Sequence, residues 1–340
     1  MAAYTTIDDP EAYFQTVTYT GNGTVIGSGG LAVTLGGETD LQPDMVWSKN
    51  VSITSSHNVW DDQRGSSGSY NRWYPDTSDA EDTGVSEGLS TFNSDGMTFG
   101  NSGQGNASGN THFAFCWKES ADAGFDMVLY TGNDTARTIS HSLSAAPHFY
   151  IVKARSRVAN GQVFHHKNSG SGATHVYYLA TDHGEQDETM FNDTAPTSSV
   201  FSVSGASEVN DDGETYITYL WTAKQGFSKF GTYTGNGNAD GTFVYTGFRP
   251  AMVIVKRKDS TGGFYMYNNK RAGYNGSSEY VQADTGSAGD TNAGNFGFDL
   301  LSNGFKLRGT YATVNNSGGN YVYMAWAEAP FVNSNGVPCN

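Results

Sequence analysis

Cysteine, proline, cationic residues and long apolar runs are all scarce in this sequence. Two cysteines in 340 residues, Cys116 and Cys339, make no disulfide framework, and neither lies in a Cys-x-x-Cys or zinc-type spacing. Cys116 sits in an apolar strand pattern and reads as a small buried residue. The chain is therefore expected to hold without staples, as in a reducing cytoplasm. No stretch approaches the ~18 consecutive apolar residues of a membrane-spanning helix. The start, Met1 to Thr6, lacks a basic region followed by an apolar one, so no secretory signal is expected. Nineteen Lys and Arg stand against 34 Asp and Glu, a net charge of −15. That balance argues against nucleic acid, whose counterions are displaced by cations, and against an anionic membrane surface. Charged residues are 16% and aromatics 13%, the reverse of a disordered chain.

What is abundant points to strands and turns. There are 43 Gly, 20 Tyr and 19 Phe against 8 Pro, and Asn, Ser and Thr fill much of the rest. Repeats decide the architecture. Tyr-Thr-Gly-Asn occurs at Tyr19–Asn22, Tyr130–Asn133 and Tyr233–Asn236, spaced by 111 and 103 residues. A Pro with an apolar run ending in Lys follows each: Pro43 to Lys49, Pro147 to Lys153 and Pro250 to Lys256. Next comes an aromatic with a polar tail, at Trp60-Asp61-Asp62, Phe164-His165-His166 and Tyr267-Asn268-Asn269. Last is an alternating strand closing on Trp117, Trp221 or Trp326. Four markers in one order at one period give an N-terminal arm (1–11), repeats at 12–120, 121–225 and 226–332, and a C-terminal tail (333–340).

Each repeat has the length of one small domain and is expected to own its core; solenoid units are shorter. Phe113, Phe115 and Trp117 alternate with His112, Ala114 and Cys116, the period of a strand. Before each closing strand lies an expected hairpin partner: Met97 to Phe99, Phe201 to Val203, Phe305 to Leu307. Asn-Gly and Asp-Gly turns punctuate the chain, from Asn22-Gly23 and Asp95-Gly96 to Asn275-Gly276 and Asn335-Gly336. The fold class is all-β: three tandem β-sandwich domains of jelly-roll or lectin-like type, with seven or eight strands each. One helical turn is expected near Asp9-Pro10, with Asp9 as N-cap and Pro10 at N1. The joints, Trp117 to Phe125 and Trp221 to Phe227, are short, which predicts a pseudo-threefold triangle or a short rod.

Candidate chemistry is thin. The acidic stretches Asp76–Asp82 and Asp182–Glu188 offer hard oxygens that suit Ca²⁺, but lack the spacing of a calcium loop and read as solvated loops. His165 and His166 face opposite ways on a strand, so the pair reads as a polar, solvated turn and not a metal site. No catalytic residue and no cofactor is expected, Ca²⁺ being the one candidate. No Gly-x-Ser-x-Gly elbow and no phosphate loop occurs, and no repeat stands out by unique His, Asp or Glu residues, so the chain is not expected to be an enzyme. The remaining candidates are aromatics in polar loops: Tyr70, Trp73, Tyr74, Tyr265 and Tyr274. Rigid rings beside hydrogen-bonding groups suit recognition of sugars or proteins. The plainer reading packs the same rings in the cores or between the repeats.

A resemblance adds to this. The opening Ile7 to Thr16, the central Ala195 to Phe201, the stretches Gly226 to Gly231 and Tyr245 to Pro250, and the late Leu301 to Arg308 resemble an uncharacterised tandem-repeat family carried by tailed bacteriophages, mostly of marine bacteria. The resemblance covers nearly the whole chain, and no functional residues come with it. It implies a structural protein on the virion surface, assembled in the host cytoplasm: a capsid decoration protein or head fibre. The alternative is a tail fibre or receptor-binding appendage that contacts host glycan or protein, and a polysaccharide depolymerase stays open behind both. The implied partners are other virion proteins and further copies of the chain.

Overall fold

Period-two alternation, not helical periodicity, dominates the chain, and strands form wherever it runs. The computed structural model describes residues 7–170, 172–271, 273–275, 279–290 and 296–329. Strands take 41% and helix 6%, so the chain is all-β. The C-terminal tail with Cys339, the first six residues, and the Asn275-Gly276 and Asn335-Gly336 turns lie wholly or partly outside the described residues. Ahead of the first strand, Pro10–Ala12 forms a 3-10 turn, with the Asp9 side chain accepting from the Glu11 N–H at 3.2 Å.

The first third of the chain holds β1 (Phe14–Thr20), β2 (Leu31–Val33), β3 (Met45–Asn50), β4 (Asn58–Ser66), β5 (Ser69–Trp73), β6 (Leu89–Asn93), β7 (Gly96–Phe99) and β8 (Thr111–Trp117). The second holds β9 (Phe125–Thr131), β10 (Arg137–Ser140), β11 (Phe149–Ala154), β12 (Gln162–His165), β13 (His175–Tyr178), β14 (Gln186–Asp187), β15 (Val200–Val203) and β16 (Thr215–Trp221). The last holds β17 (Ser228–Thr234), β18 (Phe243–Tyr245), β19 (Met252–Arg257), β20 (Phe264–Asn268), β21 (Val281–Gln282), β22 (Phe298–Leu301), β23 (Gly304–Leu307) and β24 (Asn320–Trp326). Three large antiparallel sheets run β1-β8-β3-β4-β5, β9-β16-β11-β12-β13-β14 and β17-β24-β19-β20-β21. Three small ones run β2-β7-β6, β10-β15 and β18-β23-β22. In each large sheet the opening strand pairs with the closing one, as Phe14 with Trp117, Phe125 with Trp221 and Ser228 with Trp326.

The expected hairpin partners of the closing strands belong elsewhere. Met97–Phe99, Phe201–Val203 and Phe305–Leu307 pair inside the small sheets, as β7, β15 and β23. A helical turn intervenes each time, at Gly103–Asn106, Ser207–Asn210 and Ala312–Asn315. These turns explain the Tyr-Thr-Gly-Asn marker. Tyr19, Tyr130 and Tyr233 donate their hydroxyls to turn carbonyls, of Gly105, Val209 and Val314, at 2.8, 2.6 and 2.6 Å. The N–H groups of Asn22, Asn133 and Asn236 donate to the side-chain oxygens of the buried Asn106, Asn210 and Asn315. A Cβ at Gly21, Gly132 or Gly235 would strike a backbone carbonyl of Ala107, Asp211 or Asn316, so the third letter must be glycine.

Three apolar clusters lie between a large sheet and a small one. In the first third, Val46, Trp60 and Cys116 of the large sheet meet Val33, Leu89 and Met97 of the small sheet; the other thirds have counterparts. The fourth cluster is the largest and draws on all three thirds: Trp47, Phe113 and Phe115, then Phe149, Ile151 and Tyr219, then Met252, Ile254 and Met324. The expectation of separate cores therefore covers only half of the packing. Both faces of each large sheet are apolar, and the outward face of one lobe is the inward face of the shared centre. Trp117, Trp221 and Trp326 meet there, with ring centroids 6.0, 5.7 and 6.0 Å apart.

Candidate functional site

The faces that build the shared centre also place charged groups inside it. Met45, Trp47 and Lys49 share one face of β3, since alternate residues point the same way. Phe149, Ile151 and Lys153 do so on β11, and Met252, Ile254 and Lys256 on β19. All three lysines are fully buried. Each reaches into backbone carbonyls across a junction. The Lys153 ammonium donates to Ser78 O at 3.3 Å and Asp79 O at 2.7 Å. Lys256 donates to Thr181 O at 3.4 Å, and Lys49 to Gly286 O at 3.2 Å. Burial pulls each lysine down to about 8. The marker lysines are therefore junction clasps, and their parity with core positions was the signal in the sequence.

Side chains of the polar slot cross the same junctions. Asp61 accepts from the Tyr219 hydroxyl at 2.5 Å and from Arg64 at 2.7 Å. His165 is no solvated turn: it is fully buried, with Nε2 3.3 Å from Tyr323 O, and burial holds its pKa well below the ordinary histidine value. His166 Nε2 lies 3.0 Å from Phe230 O. Asn269 accepts from Thr16 Oγ1 at 2.9 Å. His57 accepts the Trp47 indole N–H on Nδ1 and sets Nε2 2.9 Å from Gln282 O. The slot is polar because it is where sheet edges from different thirds meet.

The acidic stretches are junction parts as well. Glu81 binds Arg64 at 2.9 Å and Arg155 at 2.8 Å with its side chain 3% exposed. Burial pushes its carboxyl up, and the two guanidiniums more than offset that, holding it low. Glu185 accepts from Ser169 and stands 3.6 Å from Lys258. Among the described residues no group of three or more His, Cys, Asp or Glu is placed to hold a metal ion. Glu81, Asp82 and Glu185 of these stretches are answered by the protein's own cations.

The five aromatic candidates do not share a surface. Trp73 is buried in the shared centre and donates its indole N–H to Tyr219 Oη at 3.0 Å. Tyr265 is buried, 5.3 Å from the Phe296 ring. Tyr70 is half-buried, edge-on to Phe92. Tyr74 is half-buried and donates to Asp82 at 2.9 Å. Tyr274 alone is exposed, under the Arg249 guanidinium. For Trp73 and Tyr265 the plainer reading, packing in the cores, is the one that holds.

Open concavities lie at the junctions between parts of the chain. Between the second and third parts of the chain, a cleft of about 540 Å³ is lined by Lys167, Ser169, Glu185, Thr232, Lys258, Asp259 and Asn320. A neighbour of about 500 Å³ shares Glu185, Lys258 and Asp259 and adds His175, His183 and Asp187. Burial pushes the Asp259 carboxyl up, but Arg257 and the Asn320 amides outweigh that and hold it below the usual carboxylate range. The clefts present ammonium, carboxylate, amide and hydroxyl groups to solvent, a hydrogen-bonding surface suited to hydroxyl-rich molecules. Over residues 9–330 the sequence matches the family described as Domain of unknown function (DUF7483). The chain belongs to that family. No curated protein matches the sequence, and no solved structure matches it. The matched stretch spans all three large sheets and both joints.

Proposed function

We propose that this chain is a structural protein exposed on a tailed-phage virion, of the capsid decoration or head-fibre type. In this reading one β-sandwich of about a hundred residues is present three times, at 12–120, 121–225 and 226–332, and the copies form one stiff unit. The observation that carries the structural part is the meeting of Trp117, Trp221 and Trp326, drawn from the three closing strands. A shared aromatic centre with buried clasps at every junction suits a building element that must keep its shape. The virion placement rests on the sequence resemblance. Densitometry of purified particles tests it: hundreds of copies support the capsid, a few tens support the tail, and none removes the virion reading.

A second reading, a receptor-binding appendage for host surface glycan, is favoured by the polar clefts at the junctions. Incubation with host envelope polysaccharide separates the cases. Retention of the polymer without new reducing ends supports a binder, and their release supports a depolymerase.

A further inference from the structure

The three junctions are built alike except in one place. The N–H groups of Glu81, Glu185 and Gly289 donate to the carbonyls of Arg155, Lys258 and Val51 at 2.8, 2.9 and 2.9 Å. These three residues therefore hold one position, Glu81 against the second third of the chain, Glu185 against the last and Gly289 against the first. At two junctions the position is a glutamate paired with a cation across the boundary. At the third both partners are gone, and Gly289 faces Val51. The counterpart of Arg64 there is Arg271, in the same slot of the aromatic-tail marker. Arg64 is neutralised by Asp61 and Glu81. Among the described residues Arg271 pairs with Glu279, at 3.4 Å, and has the Asp290 carboxylate nearby, with its own side chain 5% exposed. Its Nη1 is buried without a hydrogen-bond partner, which costs free energy that a nearby anion would return.

A cavity of about 370 Å³ opens at this place, lined by Arg271, Lys270, Glu279 and the hydroxyl residues Thr18, Ser52 and Thr111. Lys270 is tied to Glu328 at 2.5 Å, so Arg271, with its unmade hydrogen bond at Nη1, is the cation left to a ligand here. We propose that this cavity binds a hydroxylated carboxylate of monosaccharide size, a uronic acid, whose carboxylate takes the role of the missing glutamate beside Arg271. Thr18, Ser52, Thr111 and Glu279 supply partners for its ring hydroxyls. The volume suits one sugar ring, at the small end of ligand pockets. The inference is independent of the virion placement.

The test titrates D-glucuronate, with D-glucose as the neutral control, into the full chain and follows binding by calorimetry and NMR shifts. Wild type binds glucuronate and not glucose. Arg271→Gln weakens glucuronate at least about tenfold. Gly289→Glu restores the sister carboxylate; its Cβ would lie 2.5 Å from Arg271 Nη2, the end of a long side chain, and 3.0 Å from Val51 Cβ. That variant loses glucuronate while its melting temperature stays at or above wild type, so the answer does not depend on Arg271→Gln folding. Glucose binding as well as glucuronate, no saturable glucuronate binding to wild type, or full affinity in Gly289→Glu each overturns the proposal.

Discussion

The shared centre is closed by opposite chemistry at its two ends. At one end three indoles meet, and the ring nitrogens of Trp117 and Trp221 have no hydrogen-bond partner. On the neighbouring strands β3, β11 and β19, four residues beyond the partners of these tryptophans and about 13 Å away at the usual strand rise, the buried ammoniums of Lys49, Lys153 and Lys256 grip carbonyls of a neighbouring part of the chain. Apolar contact is non-directional and rewards any close packing. Hydrogen bonds from a buried ammonium reward one geometry. The tryptophan end thus supplies attraction, and the lysine end fixes which part sits beside which and in what register.

The sharpest way to break that contrast is at the indoles. Trp221→Ala removes a ring that also stacks on Phe125 and Phe149, and is expected to cost about 3–5 kcal/mol in urea unfolding. If the centre couples the three thirds, unfolding stays a single transition at lower midpoint. Separate transitions for separate thirds would show that the rings touch without coupling.

Next in size is the lysine end. Lys153→Met keeps the length of the side chain but leaves the carbonyls of Asp79 and Ala159 without their donor. A loss of about 2 kcal/mol is expected. A methionine variant as stable as wild type would mean that this end, too, is held by apolar contact.

How far the sequence reveals these ends depends on what each signal measures. The closing tryptophans and the Tyr-Thr-Gly-Asn letters recur because each part of the chain uses them for the same contacts, so periodicity exposes them. Strand alternation is equally plain, and the all-β architecture follows. The ring of junctions is hidden, because contacts such as Thr16 with Asn269 or Lys49 with Gly286 join residues more than two hundred positions apart. His165 and Glu81 look solvated in sequence because polarity reports a need for partners, not where the partners are. Trp73 and Tyr265 leave two readings open, recognition surface or core, because their polar neighbours in sequence are not their neighbours in space.

The two ends also titrate in opposite senses. Near the indoles, Glu119 lies beside Asp126, and burial first, then that neighbour, pushes its carboxyl up to about 8. Between pH ~4.5 and ~8 the folded chain keeps a proton that the unfolded chain has lost, so stability falls as pH rises. The lysines are held at about 8, below their ordinary 10.5. Between those values the unfolded chain holds more protons, and stability rises with pH. These groups together predict a stability minimum near pH 8, read from urea midpoints at constant ionic strength. Glu119→Gln flattens the falling limb and Lys153→Met weakens the rising one; a profile with no upturn above pH 8 would show that the lysines keep their charge.

The smallest effect sharpens the contrast from outside the centre. Glu185 and Lys258 span the same kind of junction as Glu81 and Arg155, but at 3.6 Å instead of 2.8 Å. Lysine offers a point charge where arginine offers a fork, and the open cleft beside the pair lets water and salt screen it. Lys258→Gln is expected to cost under about 1 kcal/mol, and less still in high salt. Arg155→Gln leaves Glu81 buried with Arg64 and the Asn71 amide and should cost more, with little salt dependence. Equal, salt-sensitive losses at the two sites would mean that solvent reaches both. Directional grip would then belong to the buried ammoniums alone.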